Sequence, residues 1–170
     1  VALSGQKWDG IIQPSTKWGR ALIFDRLTAM FIGEYHITID DKGRATVPVK
    51  FRGALAQGAV VTRGLDTSLF LLPLEEWGKL AEKIAGLPLG QANSRAFARF
   101  MLAGAMEVEL DSHGRFVLPE YLRTFAGLKK NAVIVGIQNR MEVWNEDAWN
   151  AYAKKAEADS SQIAEQLGGL

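Results

Sequence analysis

From Tyr35 the chain alternates. Tyr35, Ile37 and Ile39 are apolar or aromatic, and His36, Thr38 and Asp40 between them are polar. A period of two predicts a strand with one buried face. The alternation returns in "MEVEL", which starts at Met106. Each strand runs into Asp-x-x-Gly, Asp40 to Gly43 and then Asp111 to Gly114. These residue types close a turn: the Asp carboxylate accepts from backbone N–H groups two or three residues on, and Gly takes a positive φ without a Cβ penalty. A second short strand follows, "RATV" or "RFVL", and stops at Pro48 or Pro119. In "PEYLRTFAG" the proline suits the first helical position, Glu120 complements the positive helix end, and Gly127 suits the exit. Two more apolar runs flank "GLDTS" or "GIQNR" and predict a hairpin. An amphipathic helix then begins near Leu74 or Glu146.

The chain is therefore written twice. Asp40 aligns with Asp111, Gly43 with Gly114, Arg44 with Arg115, Pro48 with Pro119 and Arg52 with Arg123, an offset of 71 residues. With one further residue of offset Val60 meets Ala132, Gly64 meets Gly136 and Trp77 meets Trp149. Self-similarity at this period marks a repeated architecture. One unit of four short strands closes a core poorly, but two copies can pair their apolar faces about a pseudo-twofold axis. The expected fold is mostly β with peripheral helices, an α+β body that is intertwined and barrel-like. Residues 30–104 form the first copy with a linking helix in "QANSRAFARFMLAG", residues 105–158 the second, and 159–170 a tail. Residues 1–29 carry Trp8, Pro14 and Trp18 without an apolar period, and read as a leader or extension outside the compact fold.

Composition narrows the chemistry. The 170 residues include no cysteine, which removes disulfides, thiol nucleophiles and cysteine-based zinc sites. Apolar runs such as "SLFLLPL" fall far short of the roughly 20 residues of a membrane helix. His36 and His113 have no ligand partners at metal spacing. No Ser-His-Asp order, Gly-rich phosphate loop or catalytic carboxylate pair stands out. The reading is thus of no enzyme, with no catalytic residue, metal, cofactor, small-molecule substrate or membrane partner. The net charge of +1 gives no global field toward a polyanion.

What remains is the repeated turn. It delivers Arg44 and Arg115 to fixed places, and Asp40 can orient Arg44 through a bidentate pair. The pattern serves equally as a structural clasp or as a rigid holder of a guanidinium group, and repetition favours both. Local charge separates the copies. Residues 36–52 hold Lys42, Arg44, Lys50 and Arg52 against Asp40 and Asp41, whereas basic and acidic residues balance over 106–130. A bound polyanion would lean on the first copy. Arginine is the side chain best matched to guanine edges and phosphates.

"MFIGEYHITIDDKGRATVPVKFR", "DSHGRFVLPEYLRTFAGL" and "VIVGIQNRMEVWNEDAW" together closely resemble the MraZ family, from Met30 to about Tyr152. These are bacterial regulators encoded at the head of the division and cell wall gene cluster, similar in turn to AbrB-type regulators. The resemblance implies a swapped-hairpin AbrB-like or double-psi β-barrel made by the two repeats, and assembly into a ring-shaped homo-oligomer. It implies cytoplasmic, nucleoid-associated binding to short G-rich direct repeats of double-stranded DNA in the cluster's own promoter, usually with repression. The family's Asp-x-x-x-Arg motif falls on Asp40 and Arg44 and on Asp111 and Arg115. The implied DNA-binding set is Asp40, Lys42, Gly43, Arg44, Arg52, Asp111 and Arg115. Arg44 reads guanine, Asp40 fixes Arg44 and Lys42 holds phosphate. Arg52 either joins Lys42 or is a solvated residue of the short helix. His113 replaces Lys42 in the second copy. The alternative function is a ring that acts by binding a neighbouring protein instead of DNA.

Overall fold

Two runs of strand, turn, strand, helix and hairpin organise the computed structural model, which describes residues 30–168. The leader expected over residues 1–29 lies outside the described residues. The first copy holds β1 (Phe31–Thr38), β2 (Arg44–Thr46), α1 (Val49–Arg52) with a 3-10 turn (Gly53–Leu55), β3 (Ala59–Arg63), β4 (Leu69–Pro73) and α2 (Leu74–Ala85). The linking helix α3 spans Ala92–Leu102. The second copy holds β5 (Met106–Val108), β6 (Arg115–Val117), α4 (Glu120–Phe125), β7 (Asn131–Gln138), β8 (Arg140–Asn145) and α5 (Glu146–Ala158), followed by α6 (Ser160–Leu167).

Six strands form one antiparallel sheet in the order β1-β7-β8-β4-β3-β5. The first strand of each copy therefore lies on the third strand of the other: Ile37 faces Ala132, and Val108 faces Ala59. At the centre Phe70 faces Glu142, and in the separate two-stranded ribbon Ala45 faces Phe116. These pairs are the ones a pseudo-twofold axis leaves in place, so the axis expected from the repeat passes through both layers.

The register corrects one detail of the internal alignment. Leu71 pairs with Val61, and its counterpart Val143 pairs with Ile134. Val61 thus corresponds to Ile134 and Ala59 to Ala132, one residue away from the alignment that placed Gly64 on Gly136. The loop before β7 is two residues longer than its counterpart, and the hairpin after β7 is one residue shorter. A one-residue slip exchanges the two faces of a strand, so only the pairing could fix it.

The expected barrel is also corrected. The main sheet ends at β1 and β5, and among the described residues the ribbon of β2 and β6 joins it through an isolated bridge between Ile39 and Ala45. Ala45, Val47, Phe116 and Leu118 are buried between ribbon and sheet. Beyond that bridge β1 pairs with β7 and β2 with β6, so the strands do not join into a closed ladder.

The molecule has three layers. The main core fills the space between sheet and ribbon with Phe31, Phe51, Leu55, Leu69, Leu122 and Ile134 among others. On the opposite sheet face Phe70 and Leu72 pack with Ile84 and Met101 under α2 and α3. Val133, Val135 and Trp144 pack with Trp149 of α5. The ribbon is thereby held from behind by the sheet, with its other face turned outward.

Candidate nucleic-acid interface

The geometry of each turn follows from its residue types. Asp40 Oδ1 accepts from the backbone N–H groups of Lys42 at 3.0 Å and Arg44 at 2.9 Å. The Gly43 N–H donates to the Asp40 carbonyl at 2.8 Å, and Gly43 has φ +74°. Arg44 Nε then donates to Asp40 Oδ2 at 2.7 Å. The second turn repeats this. Asp111 Oδ1 accepts from His113 and Arg115 N–H groups at 2.9 Å each, Arg115 Nε donates to Oδ2 at 2.8 Å, and Gly114 has φ +75°. A positive φ at both glycines is what lets the chain reverse here.

The carboxylates are fixed in their charged form. Asp40 is held below the ordinary carboxylate range, first by the backbone N–H of Arg44. Asp111 is pulled down to about 2, first by the hydrogen bond from the Arg115 side chain. The two arginines hold their aspartates in the same way, each donating through Nε, and Arg115 Nη2 also lies 2.8 Å from Asp111 Oδ2. Among the described residues the terminal nitrogens of Arg44 enter no hydrogen bond. Both arginine side chains keep 30% of their surface exposed.

The ribbon sets the spacing. Arg44 faces Val117, and Thr46 faces Arg115. Ala45 and Phe116 point into the core, so alternation puts Arg44, Thr46, Arg115 and Val117 together on the outer face. The two arginines sit on adjacent strands two residues out of register, about 8 Å between Cα atoms by ladder geometry. Lys42 and His113 lie exposed at the two ends. Val117 is 56% exposed, an apolar position on an otherwise polar surface.

The structure brings Asp40, Lys42, Gly43, Arg44, Asp111 and Arg115 into this one ribbon. Arg52 lies off the ribbon, at the end of α1. Its Nε donates to the Val47 carbonyl at 3.0 Å, and its guanidinium lies against Gly114 of the second turn, where a Cβ would overlap it. Arg123 mirrors it: Nε donates to the Leu118 carbonyl at 3.1 Å, and a Cβ on Gly43 would come within 3.0 Å of the guanidinium. Sequence reasoning did not single out Arg123, Thr46 or Val117. The alignment of Arg52 with Arg123 was a visible signal for the first. The other two needed the ribbon pairing.

Other polar groups lead to different chemistry. His36 Nδ1 lies 2.8 Å from Glu146 Oε1 and Nε2 lies 3.2 Å from Glu34 Oε1, which joins β1 to the start of α5. An open cavity of about 530 Å³ lies beside it, lined by Tyr35, Ile37, Val47, Val49 and Arg52 among others. Among the described residues no group of three acidic or histidine side chains is placed to hold a metal ion, and no helix is long and apolar enough to cross a membrane.

Known proteins resemble this chain over most of its length. The family model described as "MraZ protein, putative antitoxin-like" matches twice, over residues 30–100 and 101–169. The Transcriptional regulator MraZ of Natranaerobius thermophilus is 48% identical over 138 residues, which cover 81% of this chain and 96% of that protein. The protein of the same name from Desulfitobacterium hafniense is 48% identical over 83% of this chain and 99% of its own length. That from Ligilactobacillus salivarius is 49% identical over 81% of this chain. These relatives are named as regulators, not as enzymes. With two tandem matches to the family model and near-full-length relatives at almost half identity, the chain belongs to the MraZ family.

Proposed function

We propose that the chain is a transcriptional regulator that binds double-stranded DNA through the outer face of the β2–β6 ribbon. It represses the division and cell wall cluster from the cytoplasm, on the nucleoid. One observation carries this reading: Arg44 and Arg115 stand on one exposed face, each braced by its own aspartate. A major groove admits a two-stranded ribbon, and an arginine suits the O6 and N7 acceptors of guanine. The spacing of about 8 Å spans roughly two base-pair steps. Arg44 has its terminal donors available for a base edge, Lys42 lies beside it for phosphate, and Asp40 sets the guanidinium plane.

The exchange of β1 and β5 between copies supports the AbrB-like reading, in which one chain imitates a dimer. Copies of the chain assemble into a ring that presents the first-copy turn to successive G-rich boxes. Each contact is weak, and linkage raises the effective concentration of the next. The test is a gel shift on the cluster's own promoter with intact and mutated boxes. Equal retention of both probes ends the sequence-specific reading, and retention of neither ends the DNA reading. In the second case, capture of a neighbouring gene product would favour a protein-binding ring.

A further inference from the structure

Each recognition turn is touched by an arginine from the opposite copy. The Gly43 carbonyl accepts from the Leu118 N–H at 2.8 Å, and the Leu118 carbonyl accepts from Arg123 Nε at 3.1 Å. In mirror fashion the Gly114 carbonyl accepts from the Val47 N–H at 2.9 Å, and the Val47 carbonyl accepts from Arg52 Nε at 3.0 Å. Gly43 and Gly114 are both buried beneath these guanidinium groups. Among the described residues neither Arg52 nor Arg123 forms an ion pair, so what holds each is a backbone carbonyl and the flat face of a glycine turn.

We propose that Arg123 and Arg52 are crossed positioning residues: Arg123, from the second copy, holds the Asp40–Arg44 turn, and Arg52, from the first, holds the Asp111–Arg115 turn. The chemistry suits the task. A planar guanidinium lies flat over a peptide that has no Cβ, and its Nε–H fixes the plane through a neighbouring carbonyl. The absence of side chains at Gly43 and Gly114 thus does two things at once. It permits the positive φ, and it makes room for the clamp. Crossing the clamps ties each copy's reading residue to the folding of the other copy. Arg52 acts in this scheme through Asp111 and Arg115, without needing to reach DNA itself.

The clamp stands on geometry alone, and its effect on recognition rests on the DNA reading above. The two are tested separately. In the full chain without DNA, residue-resolved amide exchange is measured for Arg123→Ala and Arg52→Ala. Arg123→Ala should speed exchange at Lys42, Gly43 and Arg44 by about tenfold or more and leave His113, Gly114 and Arg115 nearly unchanged. Arg52→Ala should do the reverse. Equal effects on both turns, effects confined to the substituted copy, or no effect would overturn the clamp. Should an alanine variant fail to fold, Arg123→Lys keeps the charge, loses the planar group and should show the same one-sided pattern. With promoter DNA, Arg123→Ala should lower the ratio of specific to non-specific binding about tenfold with the salt slope retained. A fall in that slope of about one unit would instead make Arg123 a phosphate contact and overturn the assignment. If Arg44→Ala leaves promoter binding and specificity intact while the exchange pattern holds, the reading role of Arg44 fails and the clamp survives.

Discussion

At the scale of single residues, the candidate interface depends on how Asp40 and Asp111 are satisfied. Each carboxylate takes two backbone N–H groups and one side-chain N–H, so the arginine stem has one orientation. Arg44→Ala should weaken promoter binding by about 1–3 kcal/mol per site and relax sequence choice, as read by titration against intact and mutated boxes. Lys42→Ala should weaken all duplexes alike and reduce the salt slope by about one unit. The acid limit of the second turn follows from Asp111. Its folded pKa of about 2 lies below the ordinary value, so its contribution to stability is full above about pH 4 and is lost as pH falls through the folded value. Carboxyl-carbon titration by NMR should place the Asp111 midpoint near that value. A midpoint in the ordinary range would mean that the Arg115 pair is absent in solution.

At the scale of elements, the exchanged strand β1 is the feature to test. It lies on β7 with Gly33 opposite Gly136, and a Cβ on Gly136 would press into the backbone of Phe31 and Ile32. Gly136→Ala should therefore cost about 1–3 kcal/mol, in the manner of an overpacked core, measured as a lowered denaturation midpoint. The far part of β1 is tied by His36, which lies between Glu34 and Glu146. The hydrogen bond to Glu146 leads the causes that raise the His36 pKa above its ordinary value. A raised folded value means that the stabilisation is full below about pH 6.5 and is lost as pH rises through the folded pKa. The wild-type Tm should thus fall more than that of His36→Gln between about pH 6 and about pH 8. Parallel curves for the two proteins would show that the contact contributes nothing to stability.

For the whole molecule, the three layers separate support from contact. Helices α2, α3 and α5 cover one face of the sheet, and the main core under the other face carries the ribbon. On the proposed DNA reading, affinity for repeated boxes should come from repetition of weak contacts. Promoter fragments with one, two and three boxes should show Kd falling much faster than in proportion to box number. Proportional change would mean that subunits bind independently. The net charge of +1 leaves little long-range attraction, so the salt dependence should reflect the few local cations, Lys42 foremost.

Much of this was legible in the sequence. The strand alternation from Tyr35 to Ile39, the two Asp-x-x-Gly turns and the short helix after Pro119 are local matters, fixed by period, turn chemistry and φ preference. The Asp40–Arg44 and Asp111–Arg115 pairs were legible for the same reason, since each is closed within five residues. The outer partners Thr46 and Val117, the clamps of Arg52 and Arg123, the one-residue slip in the repeat and the open sheet in place of a barrel were not. Each depends on which strand lies beside which. That choice is made by the shared apolar core, where side chains far apart in the chain compete for the same space, and a single chain's pattern of residues does not encode the outcome position by position.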